Sequence, residues 1–246
     1  SFAQAAKNAI EAGFDGVEVH GANGYLIDEF LRSSANIRTD NYGGSLENRA
    51  RFLFEVLTAV TQAIGSERVG LRSSPLNSYN SMKDEDPLEL TRYLAEQLNT
   101  FNLAYWHLMR ADFGQQQHGD VVSIARANYK GVLIANMGYS PEEAESAIAN
   151  GLVDAVAFGT SFLANPDLPA RIASQAALNT PDAKTFYAGG AHGSVYMTYD
   201  LIDRESGKVL KLKDIVADLK GFTKIAEKYF RKTNEIDPSQ SLTDAG

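Results

Sequence analysis

The sequence predicts an α/β fold built on a parallel sheet. Three observations predict it. Short apolar runs alternate with amphipathic helical patterns over residues 1–177, and alternation of that kind implies parallel strands with crossover helices. The units recur every few tens of residues, and glycine or proline marks the junctions, as at Gly13, Gly65, Pro75 and Pro87.

Phe2, Ala5, Ala6, Ala9 and Ile10 share one helical face in residues 2–12. Val17–His20 is a short strand. Residues 26–50 read as a long polar loop with a helical turn at Ile27–Leu31; loops of that length are usually functional or disordered. Phe52, Val56, Val60 and Ile64 then repeat at helical spacing over 46–64. Val69–Ser73 is a strand, and Pro87–Leu98 a helix with Asp86 as N-cap. Strands follow at Ala104–Met109, Gly131–Asn136 and Ala155–Phe158. Between and after them come helices near 120–128, from Ser140-Pro-Glu-Glu143 onward, and over 167–177. Five βα units are too few to close an eight-stranded barrel, so a doubly wound sheet stands as the alternative on pattern alone.

After Gly193 the character changes. Val195–Tyr199 reads as a strand, Ser206-Gly207 as a hairpin turn, Val209–Leu212 as a second strand and Leu219–Lys232 as an amphipathic helix, with a polar tail beyond 234. Residues 194–246 carry nine basic and nine acidic side chains, so the formal charge of −8 lies wholly before the break. The expected organisation is therefore a 1–193 α/β segment and a 194–246 α+β appendage.

The acidic balance argues against nucleic acid as a partner. The absence of cysteine excludes disulfides, a thiolate nucleophile and Cys-ligated metals. The four histidines and scattered acids lack metal-ligand spacing, so no metal is expected. No apolar run reaches the length of a membrane helix, the sequence starts at Ser1 without an initiator Met or a signal-peptide pattern, and the expected compartment is the cytoplasm. The start inside a helical pattern, without Met, reads as a piece of a longer chain.

The stretch from Gly16 to Tyr25 carries the chemistry. Its strand ends at His20, and Asn23 and Tyr25 follow in a glycine-punctuated loop; ligands bind at the carboxyl ends of parallel strands. A helix-entry loop with a capping Asn and a packed His fits those ten residues equally well. Arg72 stands inside an otherwise apolar strand, which implies a buried charged role. His107 reads as structural, His118 as solvated, and Asp84-Glu-Asp86 as a solvated helix start.

Four motifs occur in order: His20-Gly-Ala-Asn-Gly-Tyr-Leu26, Arg38-Thr-Asp-Asn-Tyr-Gly-Gly-Ser-Leu-Glu-Asn-Arg49, Asn165-Pro-Asp-Leu168 and Phe186-Tyr-Ala-Gly-Gly-Ala-His-Gly193. On these, residues 1–193 resemble the C-terminal portion of the Old Yellow Enzyme family of FMN-dependent ene-reductases. The resemblance implies a partial (β/α)8 TIM-type barrel whose strands correspond to barrel strands four to eight. It implies FMN as cofactor, NADPH or NADH as reductant, and an α,β-unsaturated carbonyl or nitro compound as substrate. His20 and Asn23 match the family's pair of neutral donors to the substrate oxygen, an oxyanion-hole arrangement. Tyr25 matches the proton donor; a phenol is a weak acid in water, but a positioned one suffices. Arg72 matches the cation beside the flavin ring. Met137, Gly138, Gly159 and Thr160 match the phosphate loops, and Phe186 and Tyr187 border the dimethylbenzene end. Thr160 departs from the family, many of whose members carry Arg there, and this implies weaker phosphate binding. His192 lies in a family motif without an assigned role.

Two further departures stand. Barrel strands one to three are absent, and Ser194-Val-Tyr-Met197 replaces the family's ending. Residues 194–246 weakly resemble a small domain of bacterial envelope-associated proteins, on Tyr199-Asp-Leu, Gly207-Lys-Val-Leu and Lys213-Asp-Ile, which implies a chimera or a gene fragment with a foreign tail. Two readings follow: an ene-reductase, or an inactive half-barrel serving as scaffold or FMN/phosphate-binding module. The unpaired edges of an incomplete barrel invite association with another chain, so a homo-oligomer is an expected partner arrangement.

Overall fold

The computed structural model describes residues 1–182 and the short strands at 201–202 and 209–210. The chain divides into two compact units, Ser1–Pro181 and Asp182–Gly246. In the first, the order is α1 (Phe2–Glu11), β1 (Val17–Gly21), α2 (Leu26–Leu31), α3 (Leu46–Ile64), β2 (Val69–Ser73), α4 (Pro87–Leu98), β3 (Tyr105–Met109), α5 (Val121–Asn128), β4 (Leu133–Asn136), α6 (Pro141–Ala149), β5 (Ala155–Ala157), α7 (Thr160–Ala164) and α8 (Leu168–Ser174). The second contains β6 (Leu201–Ile202) antiparallel to β7 (Val209–Leu210). The expected strand at 195–199, the helix at 219–232 and the residues Phe186, Tyr187 and His192 lie outside the described residues.

The five strands of the first unit are all parallel and run in sequence order across the sheet. A doubly wound sheet reverses its strand order at a switch point. This sheet has no such reversal, so the winding is single and of the barrel type, and the partial barrel is the correct reading.

The helices start where the sequence provides caps. Ser45, Asp86, Asp120 and Ser140 each accept a hydrogen bond from the backbone N–H three residues on, at 2.9–3.3 Å. Each such cap is worth about 1 kcal/mol. Pro87 and Pro141 occupy first-turn positions, where no N–H partner is needed. The helix expected over 167–177 is shorter, because Gln175 takes a left-handed conformation and ends it. A further short helix, α7, begins at Thr160.

One face of the sheet is the core. Val19, Leu71, Trp106, Leu108, Leu133 and Ala135 pack with Leu53 and Leu57 of α3, Leu90, Leu94 and Leu98 of α4, and Val121 and Ala125 of α5. Trp106 is fully buried; its Nε1–H donates to Ser73 Oγ at 2.8 Å. The residues alternating with these point to the other face. Across it, Glu18, Gly70 and Tyr105 lie side by side, as do His20, Arg72, His107 and Ile134. This polar face is the one a closed barrel would enclose.

One surface expectation is corrected. Asp84 is not a solvated acid: its side chain is 1% exposed, lies 3.5 Å from Arg49, and accepts a hydrogen bond from Ser33 N–H at 2.9 Å. The loop after α2 folds back over α4's entrance and supplies Ser33, and α3 supplies Arg49; no local pattern near residue 84 reveals either. The same loop is ordered by its own side chains. Asn36 Nδ2 donates to the carbonyls of Phe30 and Tyr42, and Arg38 pairs with Asp40.

Candidate active site

The strands deliver their residues to one rim because all five run the same way. His20 is the last residue but one of β1, and the loop after that strand carries Asn23 and Tyr25. Arg72 lies opposite His20 on β2, Met137 and Gly138 follow β4, and Gly159 and Thr160 follow β5. The eight residues matched to the site on the described chain are therefore all contributed by the ends of strands, the loops after them or the first residue of α7, and His20 and Arg72 are direct neighbours across the sheet. The rings of His20 and Tyr25 are 5.5 Å apart, and Tyr25 is 54% exposed.

The loop that carries Asn23 is held from below. Asn23 has φ of 60°, and Gly24 has φ of 71°, a conformation that disfavours a side chain. A Cβ at Gly24 would also strike Asn80 and Met82, so the loop sits tightly on the segment after β2. Asn23 N–H donates to Ser74 Oγ at 2.8 Å, and Asn80 Nδ2 donates to the Asn23 carbonyl at 3.0 Å. Asn77 Nδ2 donates to Asn23 Oδ1 at 2.8 Å. Gly24 N–H donates to Asp28 Oδ2 at 2.9 Å. The fully buried Arg32 lies 3.7 Å from Asp28 and donates to the carbonyls of Ser74 and Asn77.

The electrostatics keep His20 neutral. Burial lowers its pKa, and the Arg72 charge lowers it further against the opposing pull of Glu18. A neutral imidazole donates one N–H and carries no charge of its own. Arg72 is itself held. Its Nη1 lies 3.3 Å from both ring nitrogens of His107, and His107 Nδ1 lies 2.9 Å from Glu18 Oε2. Burial pushes Glu18 up, but the hydrogen bond and charge of His107, then Arg72 and Tyr105, bring it below the ordinary range. Glu18 is thus the counter-charge to Arg72, with His107 between them.

The loop at Met137-Gly138 is braced by Arg110. Its Nε donates to the Met137 carbonyl at 2.8 Å and its Nη2 to the Gly138 carbonyl at 3.0 Å, while the guanidinium stacks 3.6 Å from the Tyr139 ring centroid. Both carbonyls of that loop are thereby engaged by Arg110. At Gly159, nothing lies within 4 Å of where a Cβ would be. The donor set fits a flavin mononucleotide. It offers a cation in the sheet for the ring, and at the rim open backbone with a hydroxyl for the phosphate. Among the described residues no cluster of His, Asp or Glu could hold a metal ion.

His107, expected to be structural, is buried between Glu18 and Arg72, so its partners tie it to the candidate site's cation. Glu18, Tyr105, Asn77, Asp28 and Arg32 escaped the sequence reading. A usable signal for Glu18 was its place two residues before His20, on the same face of the strand. Asn77 carried none, because its contact with Asn23 spans 54 residues.

The family model described as NADH:flavin oxidoreductase / NADH oxidase matches residues 1–179. A probable flavin mononucleotide-dependent alkene reductase of Leishmania infantum is 60% identical over 192 residues, covering 78% of this chain and 52% of the relative. 12-Oxophytodienoate reductase 1 of Oryza sativa subsp. japonica is 47% identical over 191 residues, covering 76% and 50%. The structure of the old yellow enzyme from Trypanosoma cruzi superposes with a TM-score of 0.74 at 48% identity, again covering 76% and 50%. The chain spans about half the length of the curated relatives it matches.

Proposed function

This chain belongs to the NADH:flavin oxidoreductase / NADH oxidase family, and on that premise we propose that it reduces activated alkenes with FMN, at the rim formed by β1, β2, β4 and β5. The observation that carries the reading is the pairing of His20 with Arg72 across adjacent strands, with Asn23 and Tyr25 on the loop beside them. His20 and Asn23 donate hydrogen bonds to one carbonyl or nitro oxygen, which draws charge from the alkene as it develops in the transition state. When bound there and reduced by NADPH or NADH, FMN would supply the hydride that side chains cannot carry. Tyr25 gives its phenolic proton to the α carbon. Arg72 holds a positive charge beside the ring, and the amides of Met137, Gly138 and Gly159 with the Thr160 hydroxyl hold the phosphate.

The reading keeps the flavin-binding segment at 1–193 and the appendage at 194–246, in a cytoplasmic chain that works on small molecules rather than nucleic acid. Among the described residues no helix is long and apolar enough to cross a membrane. There β1 and β5 pair on one side only, which favours self-association through the open edges.

The test is a visible absorption spectrum of the purified protein after FMN addition and desalting, followed by NADPH reduction and reoxidation with cyclohexenone. A retained flavin band that bleaches and recovers supports the reading, and Tyr25→Phe then slows only the recovery. A colourless protein overturns it. A retained band without recovery leaves a binding module in place of an enzyme.

A further inference from the structure

A primary amide can present either its NH2 or its carbonyl to a ligand, and the two differ by a half-turn of the side chain. Which end Asn23 shows decides whether it donates or accepts. Here that choice traces back to backbone N–H groups, which have no such freedom. Phe113 N–H donates to Asn77 Oδ1 at 3.2 Å, and Tyr79 N–H reaches the same oxygen at 3.4 Å. Asn77 Oδ1 is thereby the acceptor, so its Nδ2 is the donor toward Asn23, and the atom it meets at 2.8 Å is Asn23 Oδ1. Asn77 cannot turn without burying an unmatched polar pair, for it is 2% exposed and its own carbonyl accepts from Arg32.

Asn23 is then fixed at three points. Its N–H goes to Ser74, its carbonyl takes Asn80 and its Oδ1 takes Asn77. Its Nδ2 is the polar group that remains, with no acceptor among the described residues.

We propose that Asn77 is a positioning residue that locks the Asn23 amide with its NH2 outward, so that the site accepts ligands presenting an acceptor oxygen and rejects those presenting a donor. The lock itself is a property of this chain. Its consequence for substrate choice rests on the ene-reductase reading. The segment after Pro75 and the loop after β3, which carries Phe113, thus act on a donor in the loop after β1.

The experiment is hydrogen exchange of the side-chain amides in 15N-labelled protein, assigned by triple resonance, for the native chain and for Asn77→Asp. In the native chain the Asn77 NH2 is expected to be protected and the Asn23 NH2 to exchange freely with water. In Asn77→Asp both side-chain oxygens are acceptors. Asn23 then turns its NH2 inward and becomes protected, while Phe113 N–H keeps its partner. A protected Asn23 NH2 in the native chain, or an unchanged one in a folded Asn77→Asp, overturns the proposal. Should the variant not fold, native exchange alone decides.

Cyclohexenone binding to FMN-loaded protein separates the two levels. With the exchange pattern as expected, a loss of about 10-fold or more in affinity in Asn77→Asp supports both the lock and the oxygen-binding role. Unchanged affinity with that same exchange pattern supports the lock and overturns the oxygen-binding role of Asn23.

Discussion

Tyr105 lies across Gly70, with its ring in the space a Cβ would take. The two are neighbours on β3 and β2, and the crossing brings the phenol to Glu18 on the strand beyond. Gly70→Ala therefore forces the ring aside, and we expect a loss of about 1–3 kcal/mol in unfolding free energy. In a Tyr105→Ala background the same change meets no ring and costs far less. Urea denaturation of the four proteins in the cycle measures the difference; equal costs in both backgrounds would remove Tyr105 as the reason for the glycine.

That relationship shows where the sequence could be read. A glycine inside a strand pattern signals close approach of another group. Which ring approaches depends on the pairing of β2 with β3, and register is set by packing of the whole sheet rather than by five residues. Caps and helix spans are local, so α3, α4 and the Asp86 N-cap were legible. His20, Asn23 and Tyr25 were singled out through a motif, and Arg72 as a charge inside an apolar strand; the structure places Arg72 beside His20. Their supports, Asn77, Arg32 and Glu18, act across tens of residues and were not. Asp84 misled for the same reason.

Asp28 gives the chain a pH dependence of unusual sign. Burial raises its pKa from 3.8 to about 6, against the pull of Arg32 and the Gly24 N–H. Between about pH 4 and 6 the folded chain binds more protons at this group than the unfolded chain does, so its contribution to stability falls as pH rises through that window. Asp112 works in the opposite sense. Burial pushes it up, but hydrogen bonds from the Ser78 backbone and hydroxyl and from Gly114 and Gln116 N–H bring it down to about 2. Its contribution is present above pH 3.8 and is lost as pH falls toward 2. The comparison of native chain with Asp28→Asn isolates the first effect. Their difference in unfolding free energy is expected to move against the native chain by on the order of 1–3 kcal/mol from pH 4 to pH 6.5. A difference constant across that range would place the Asp28 pKa at its ordinary value.

His20 should titrate below an ordinary histidine, first because it is partly buried and second because Arg72 is its neighbour. Arg72→Met removes the second cause and keeps the first. The expected outcome is an upward move of the His20 titration in proton NMR, to a value still under that of a free imidazole. A titration that does not move would mean that Arg72 turns its charge elsewhere, and the cation beside the candidate ring site would be lost with it.

Thr160 is the position where a single side chain should change flavin affinity most selectively. It is exposed at the end of β5, and the backbone at Gly159 faces open space, so a longer side chain meets no obstruction. A guanidinium there adds charge-assisted donors to a phosphate, each worth about 1.5–3 kcal/mol. Thr160→Arg should therefore tighten FMN by roughly 10- to 100-fold and leave riboflavin, which lacks the phosphate, unchanged. Quenching of flavin fluorescence on binding measures both. An equal gain for the two flavins would locate the new contact on the ring or ribityl chain, and the phosphate would have to be placed away from the β5 rim.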